Sequence, residues 1–174
     1  MNWQLRTAFV MLMATGALAL AAGAGAGTNG SQTFSGFIVT SGASGERHVV
    51  SSTVLARGAL TGAGHIVEVD NLPSDPDNVS RDDLVFAGGS IHLVSVTVDV
   101  EFSFNPGSCV FNVTLQQIGY AVGGTGQFAS ASGSSTATVS ARGVLRRATD
   151  GSCSLDQVPL TEVDKIESEG TLSY

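Results

Sequence analysis

The chain has 174 residues and a formal net charge of −7 at pH 7, with 8 Lys and Arg against 15 Asp and Glu. Its basic doublet, Arg146-Arg147, is too small for a phosphate-binding surface, which needs clustered Lys and Arg, so composition excludes nucleic acid as a partner. The length suits one domain that buries a real core.

In chain order the first feature is Arg6, followed by an uncharged, mostly apolar run to Leu20 and a small-residue stretch from Ala21 to Gly27. A positive charge, a short apolar core and small residues make the layout of a secretory signal peptide, assigned to residues 1–26. The core is too short to span a bilayer, and no later run is long and apolar enough to do so. The expected product is therefore exported, extracellular or associated with the cell envelope, with no transmembrane segment after cleavage. Residues 27–31 read as a flexible leader and residues 32–174 as a single domain.

From Gln32 onward the sequence is Val, Thr, Ser, Gly and Ala with alternation and frequent turns, which is an all-β pattern. Strands are predicted over residues 33–41, 46–60, 65–70, 83–86, 91–104, 109–120, 136–145 and 165–174. The clearest is 91–104. There His92, Val94, Val96, Val98, Val100, Phe102 and Phe104 share the face expected to be buried. Ser95, Thr97, Asp99, Glu101 and Ser103 share the wet one. So long a strand must coil or bend, which points to an antiparallel barrel of about eight strands. Closure also removes exposed strand edges. Short helical turns are expected only near residues 124–130 or 156–162.

Two cysteines, Cys109 and Cys153, each follow turn residues, in Asn-Pro-Gly-Ser-Cys and Asp-Gly-Ser-Cys. In an exported chain this pair reads as one disulfide tying two loop-proximal strand ends. Closing a loop of that length contributes roughly 4 kcal/mol at most.

The stretch from Ile118 through Gly123-Gly124-Thr125-Gly126-Gln127-Phe128 to Gly133 resembles a segment of the allene oxide cyclase and dirigent-like barrels. There a strand runs into a Gly-rich turn and a further strand follows. The wider arrangement, with Asp82–Leu93, Phe104–Cys109 and Asp150–Cys153, is similar to small exported actinobacterial proteins carrying the same segment. The resemblance implies an antiparallel barrel of about eight strands. It carries over a structural role to Gly123, Gly124, Thr125, Gly126 and Phe128, with glycines free to take positive φ and Phe128 plugging the core. No set of pocket residues of those families aligns here, so no catalytic residue is carried over.

Other constellations have plainer readings. The Gly-rich turn lacks the Lys-Ser/Thr of a phosphate loop. The acidic loop Asp75-Pro76-Asp77-Asn78-Val79-Ser80-Arg81-Asp82-Asp83 reads as a solvated loop, with a weak calcium site as the alternative. His48, His65 and His92 fall on different predicted strands, so they are read as unrelated rather than as a metal set. Asp99 and Glu101 share a face and are read as solvent-facing; if the polar face lined a lumen, both would become acid–base candidates. No Gly-x-Ser-x-Gly elbow occurs.

No catalytic, cofactor-binding or metal site is assigned from sequence, and no cofactor is expected. The first reading of function is a non-enzymatic extracellular module that binds a small apolar ligand or a surface partner. The second is a cyclase, isomerase or stereochemical guide of the allene oxide cyclase or dirigent kind. The third is a structural cell-envelope protein.

Overall fold

A computed structural model describes residues 27–174 of the chain; the expected signal peptide, residues 1–26, lies outside the described residues. Eight strands follow in order: β1 Asn29–Ser41, β2 His48–Gly58, β3 Gly62–Val69, β4 Val79–Phe86, β5 Gly89–Asn105, β6 Val110–Gly124, β7 Ser132–Val144 and β8 Thr161–Ser173. Each pairs antiparallel with the next, and β8 returns to pair with β1 along its whole length, closing a barrel. Thr28 and Tyr174 extend that seam, exchanging N–H···O bonds of 2.9 and 3.0 Å. The ladder begins at Asn29, paired with Ser173, so most of the expected leader is strand. Extended residues 29–31 gain backbone partners from β8, which composition alone does not reveal.

One end of the barrel is sealed. β6 leaves the wall through Gly123 and Gly124 into a single 3-10 turn, Gly126–Phe128. This turn drops Phe128 into the lumen with no exposed surface (0%). Its ring meets Phe86 and Tyr174 edge-on, with centroids 6.1 and 4.9 Å away. Gly123 (φ +119) and Gly126 (φ +59) take the left-handed conformations that the turn needs. Gly124 is required for another reason, since a Cβ there would lie 2.1 Å from the Ser90 carbonyl oxygen. The Thr125 hydroxyl accepts from the Ser90 N–H at 2.9 Å, pinning the turn to β5. Residues 156–162 form no helical turn, and β8 starts at Thr161.

The opposite end is open and uneven. β4 stops pairing with β5 at Val79–Val96, while β5 and β6 run on together to Asn105 and Val110. The projecting hairpin is held by Cys109–Cys153, a disulfide with Cα atoms 5.5 Å apart. Around it Phe104, Phe111, Val113 and Leu145 form a small second core.

β5 differs from its expected faces. A register shift between Thr97 and Asp99 places one extra residue, Val98, against β6. Such a bulge reverses the in–out order beyond it. Before it, Leu93 and Ser95 face the lumen, and Ser95 is 8% exposed. Beyond it, Val100 lies opposite Leu115 and Phe102 opposite Val113, so the apolar residues face the concave side. The wall there is open, and Val98, Val100 and Phe102 remain 58, 57 and 57% exposed rather than buried. Asp99 and Glu101 alternate with them and are exposed on the convex side.

One junction is thin. β2 and β3 share only the pairs Val54–Gly64, Leu55–Ala63 and Ala56–Gly62. Past these the backbones part, and the Ser52 hydroxyl bridges the gap. It donates to the Ile66 carbonyl at 2.6 Å and accepts from the Ile66 N–H at 3.1 Å.

Candidate functional site

Alternation brings a set of side chains from every strand into the lumen above the Phe128 floor. The barrel is not filled there; a cavity of about 220 Å³ remains. Its walls are mainly apolar: Phe34 and Ile38 from β1, Leu93 from β5, Leu115 from β6, Val139 from β7 and Ile166 from β8. Ser95, Gln117, Ser135 and Ser168 add polar atoms. Gly119 makes room for two of these hydroxyls, since a Cβ there would lie 2.9 Å from Ser135 Oγ and 3.6 Å from Ser95 Oγ. Apolar walls with a few placed polar groups are the usual make-up of a small-molecule site.

Charged and apolar groups both line the cavity. Glu68 of β3 lies opposite Asp82 of β4, and Asp164 of β8 also lines it. Glu162, two residues before Asp164, shares its face. Arg47, from the β1–β2 loop, is the cation among them. It donates to Glu68 through Nη1, and its Nε and Nη2 lie 3.9 Å from Glu162 and 3.8 Å from Asp164 Oδ2. Leu115 and Val139 line the same cavity, and the exposed Val100 and Phe102 carry the apolar surface outward from Leu115.

Burial shapes the charges here. It raises Asp82 to about 6, helped by the charges of Glu68 and Asp83 and opposed by Arg47. It raises Asp164 to about 6 as well, helped by Glu162 and Glu68 and again opposed by Arg47. Glu162 moves upward chiefly through burial. Arg47 is held above its ordinary value, first by its bond to Glu68. Asp164 Oδ1 is buried and accepts no hydrogen bond from any described residue, which is uncommon for a buried polar atom.

The residues singled out in the sequence are distributed elsewhere. The turn residues Gly123, Gly124, Thr125 and Gly126 close the sealed end, and Cys109–Cys153 braces the open one. The histidines do not converge. His48 Nε2 lies 3.0 Å from Ser44 Oγ, and His92 Nδ1 lies 2.5 Å from Asp83 Oδ1. In the acidic loop Asp75 is taken by Arg81, at 2.6 and 3.0 Å, and by the Leu72 N–H at 2.8 Å. Asp82 and Asp83 then point to opposite faces of β4, Asp82 into the lumen. No group of three or more His, Cys, Asp or Glu among the described residues has metal-holding geometry.

The acidic mouth was not singled out in the sequence. Its members come from the β1–β2 loop and three strands. The available signal was local: Asp82 is in phase with Leu84, and Asp164 with Ile166, so both carboxylates follow the lumen-facing parity. No protein-family model matches the chain, and no curated protein or solved structure matches it either.

Proposed function

We propose that this chain is an exported binding protein that holds a small, largely apolar molecule in its barrel lumen without transforming it. The observation that carries this reading is the unfilled apolar cavity of about 220 Å³. Small barrels otherwise fill their interiors with side chains. An engineered cavity of about 150 Å³ admits benzene, so this one has room for a somewhat larger guest. The test is to block the space. Ala137 faces the lumen from β7, and Ala137→Phe should abolish binding of an apolar fluorescent probe while circular dichroism and the disulfide are unchanged. Undiminished probe binding in that variant would place the probe elsewhere and remove the reading.

A second reading, a cyclase or isomerase of the allene oxide cyclase or dirigent kind, draws support from Asp82 and Asp164. Two carboxyl groups titrating at about 6 beside an apolar cavity suit proton transfer near neutral pH. Mass analysis of ligand recovered after incubation separates the two: unchanged ligand favours the carrier, and an isomer of identical mass but different retention favours the enzyme.

A further inference from the structure

We infer that the guest of this lumen is a small lipophilic amine, its ammonium drawn to the carboxylates that line the cavity, Asp82 and Asp164, and its hydrocarbon body against Leu93, Leu115 and Ile166. The inference rests on the proposed binding role and assigns the chemical class of the ligand.

The charges at the mouth are unbalanced. Four carboxylates, those of Glu68, Asp82, Glu162 and Asp164, surround one guanidinium. Arg47 spends its short contact on Glu68 and approaches Glu162 and Asp164 Oδ2 at 3.9 and 3.8 Å. Among the described residues Asp82 is in no ion pair, and Asp164 Oδ1 is buried without a donor. Leaving a charge buried and unpaired is costly, and pairing it with a hydrogen-bonding cation removes the cost.

Each class of guest meets this arrangement differently. A neutral hydrocarbon would strip remaining water from the carboxylates and offer nothing in return. An anion would meet like charges at close range. An alcohol supplies one neutral donor. An ammonium supplies several donors and a positive charge, and charge-assisted hydrogen bonds are the stronger kind. The body of the guest meets the apolar walls of the same cavity, with Leu93 paired beside Asp82 and Ile166 next in phase after Asp164. Val100 and Phe102 continue apolar surface from Leu115 past the rim, each 57% exposed.

The groups around the two carboxylates are few. Asp82 is flanked by Glu68 on β3 and Leu93 on β5, with Asp83 beside it in the chain. Asp164 is flanked by Ala141 on β7 and Ile38 on β1, with Glu162 on its own strand. Arg47 is the cation facing both. No histidine or lysine faces either carboxylate from these paired strands, so protonation below pH 6 falls on the carboxylates themselves.

The probes are n-heptylamine, n-heptanol and heptanoate, measured by calorimetry on the intact barrel with its disulfide. At pH 7.5 heptylamine should bind at least about tenfold more tightly than heptanol, and heptanoate should not bind. Lowering the pH to 5 should weaken heptylamine and leave heptanol unchanged. Asp82→Asn and Asp164→Asn should each weaken heptylamine about tenfold with heptanol binding retained, which also shows that the variants are folded. Heptanol binding as tightly as heptylamine, or heptylamine indifferent to both substitutions, overturns the amine while the lumen keeps its role. Failure of all three probes overturns the lumen reading together with the amine.

Discussion

Asp82 and Asp164 have a consequence for stability whose sign opposes ordinary acid denaturation. Their folded values of about 6 stand above the ordinary 3.8. Between those limits the folded chain holds more protons than the unfolded one, so stability falls as pH rises. The contribution is fully present below pH 3.8 and lost as pH passes 6. Asp75 and Asp150 act oppositely. Arg81 lowers the first and Ser152 the second, and their contributions disappear as acid protonates them. The expected result is greater stability at pH 5 than at pH 7.5. Both lumen acids together contribute about 1–2 kcal/mol after allowance for solvent screening, or roughly 3–6 °C in Tm. Asp82→Asn should shrink that difference in a thermal melt. A Tm that rises steadily from pH 5 to 7.5 contradicts the burial of these groups. Asp164 was not singled out, and Asp82 was read only within an acidic loop, because an acid near a turn looks solvated until the lumen is known to lie on its side of the strand.

At the scale of elements, the strands were legible and their faces less so. Alternation located all eight within a few residues, since Val, Thr and Ser in period two have few other uses. It misjudged β5 because the argument that apolar means inside assumes a filled core. Here Ser95 faces an open lumen, and the Val98 bulge then turns Val100 and Phe102 onto an unroofed concave wall. The polar face was divided the same way: Ser95 lies within and Asp99 and Glu101 without. Those two acids also sit on a strand edge that β4 leaves unpaired, where charge discourages pairing with another chain. The Gly-rich turn closes the sealed end over buried Phe128, and its value can be measured. Phe128→Ala would empty the sealed end between Phe86 and Tyr174. The expected cost is about 3–5 kcal/mol, visible as a large drop in the denaturant midpoint. A cost below about 1 kcal/mol would mean that the floor collapses readily around the missing ring.

For the whole molecule, the disulfide and the closed ladder act on different parts. Closure holds β1 to β8, whereas Cys109–Cys153 spans a sequence separation of 44 and ties the β5–β6 hairpin to the β7–β8 loop. Replacing both cysteines by serine should lower stability by about 2–4 kcal/mol, and reductant should do the same to the native chain. An unchanged melting temperature on reduction would show that the small core around Phe111 holds the hairpin unaided. The pairing of the cysteines was plain from their number. The gathering of acids from β3, β4 and β8 around Arg47 was not, because it depends on how closure arranges distant strands.

The wall of this vessel has a flap. Between β2 and β3 only three residue pairs and one serine hydroxyl join the strands, fewer than at any other seam. Above that join Arg47, reaching from just before β2, clasps Glu68 on β3. Slow amide exchange should therefore mark the β8–β1 seam and fast exchange the lips of this slit. A guest that sits deep beneath the rim has a sideways exit whose fastening is electrostatic, so salt should shorten its residence more than it weakens the barrel.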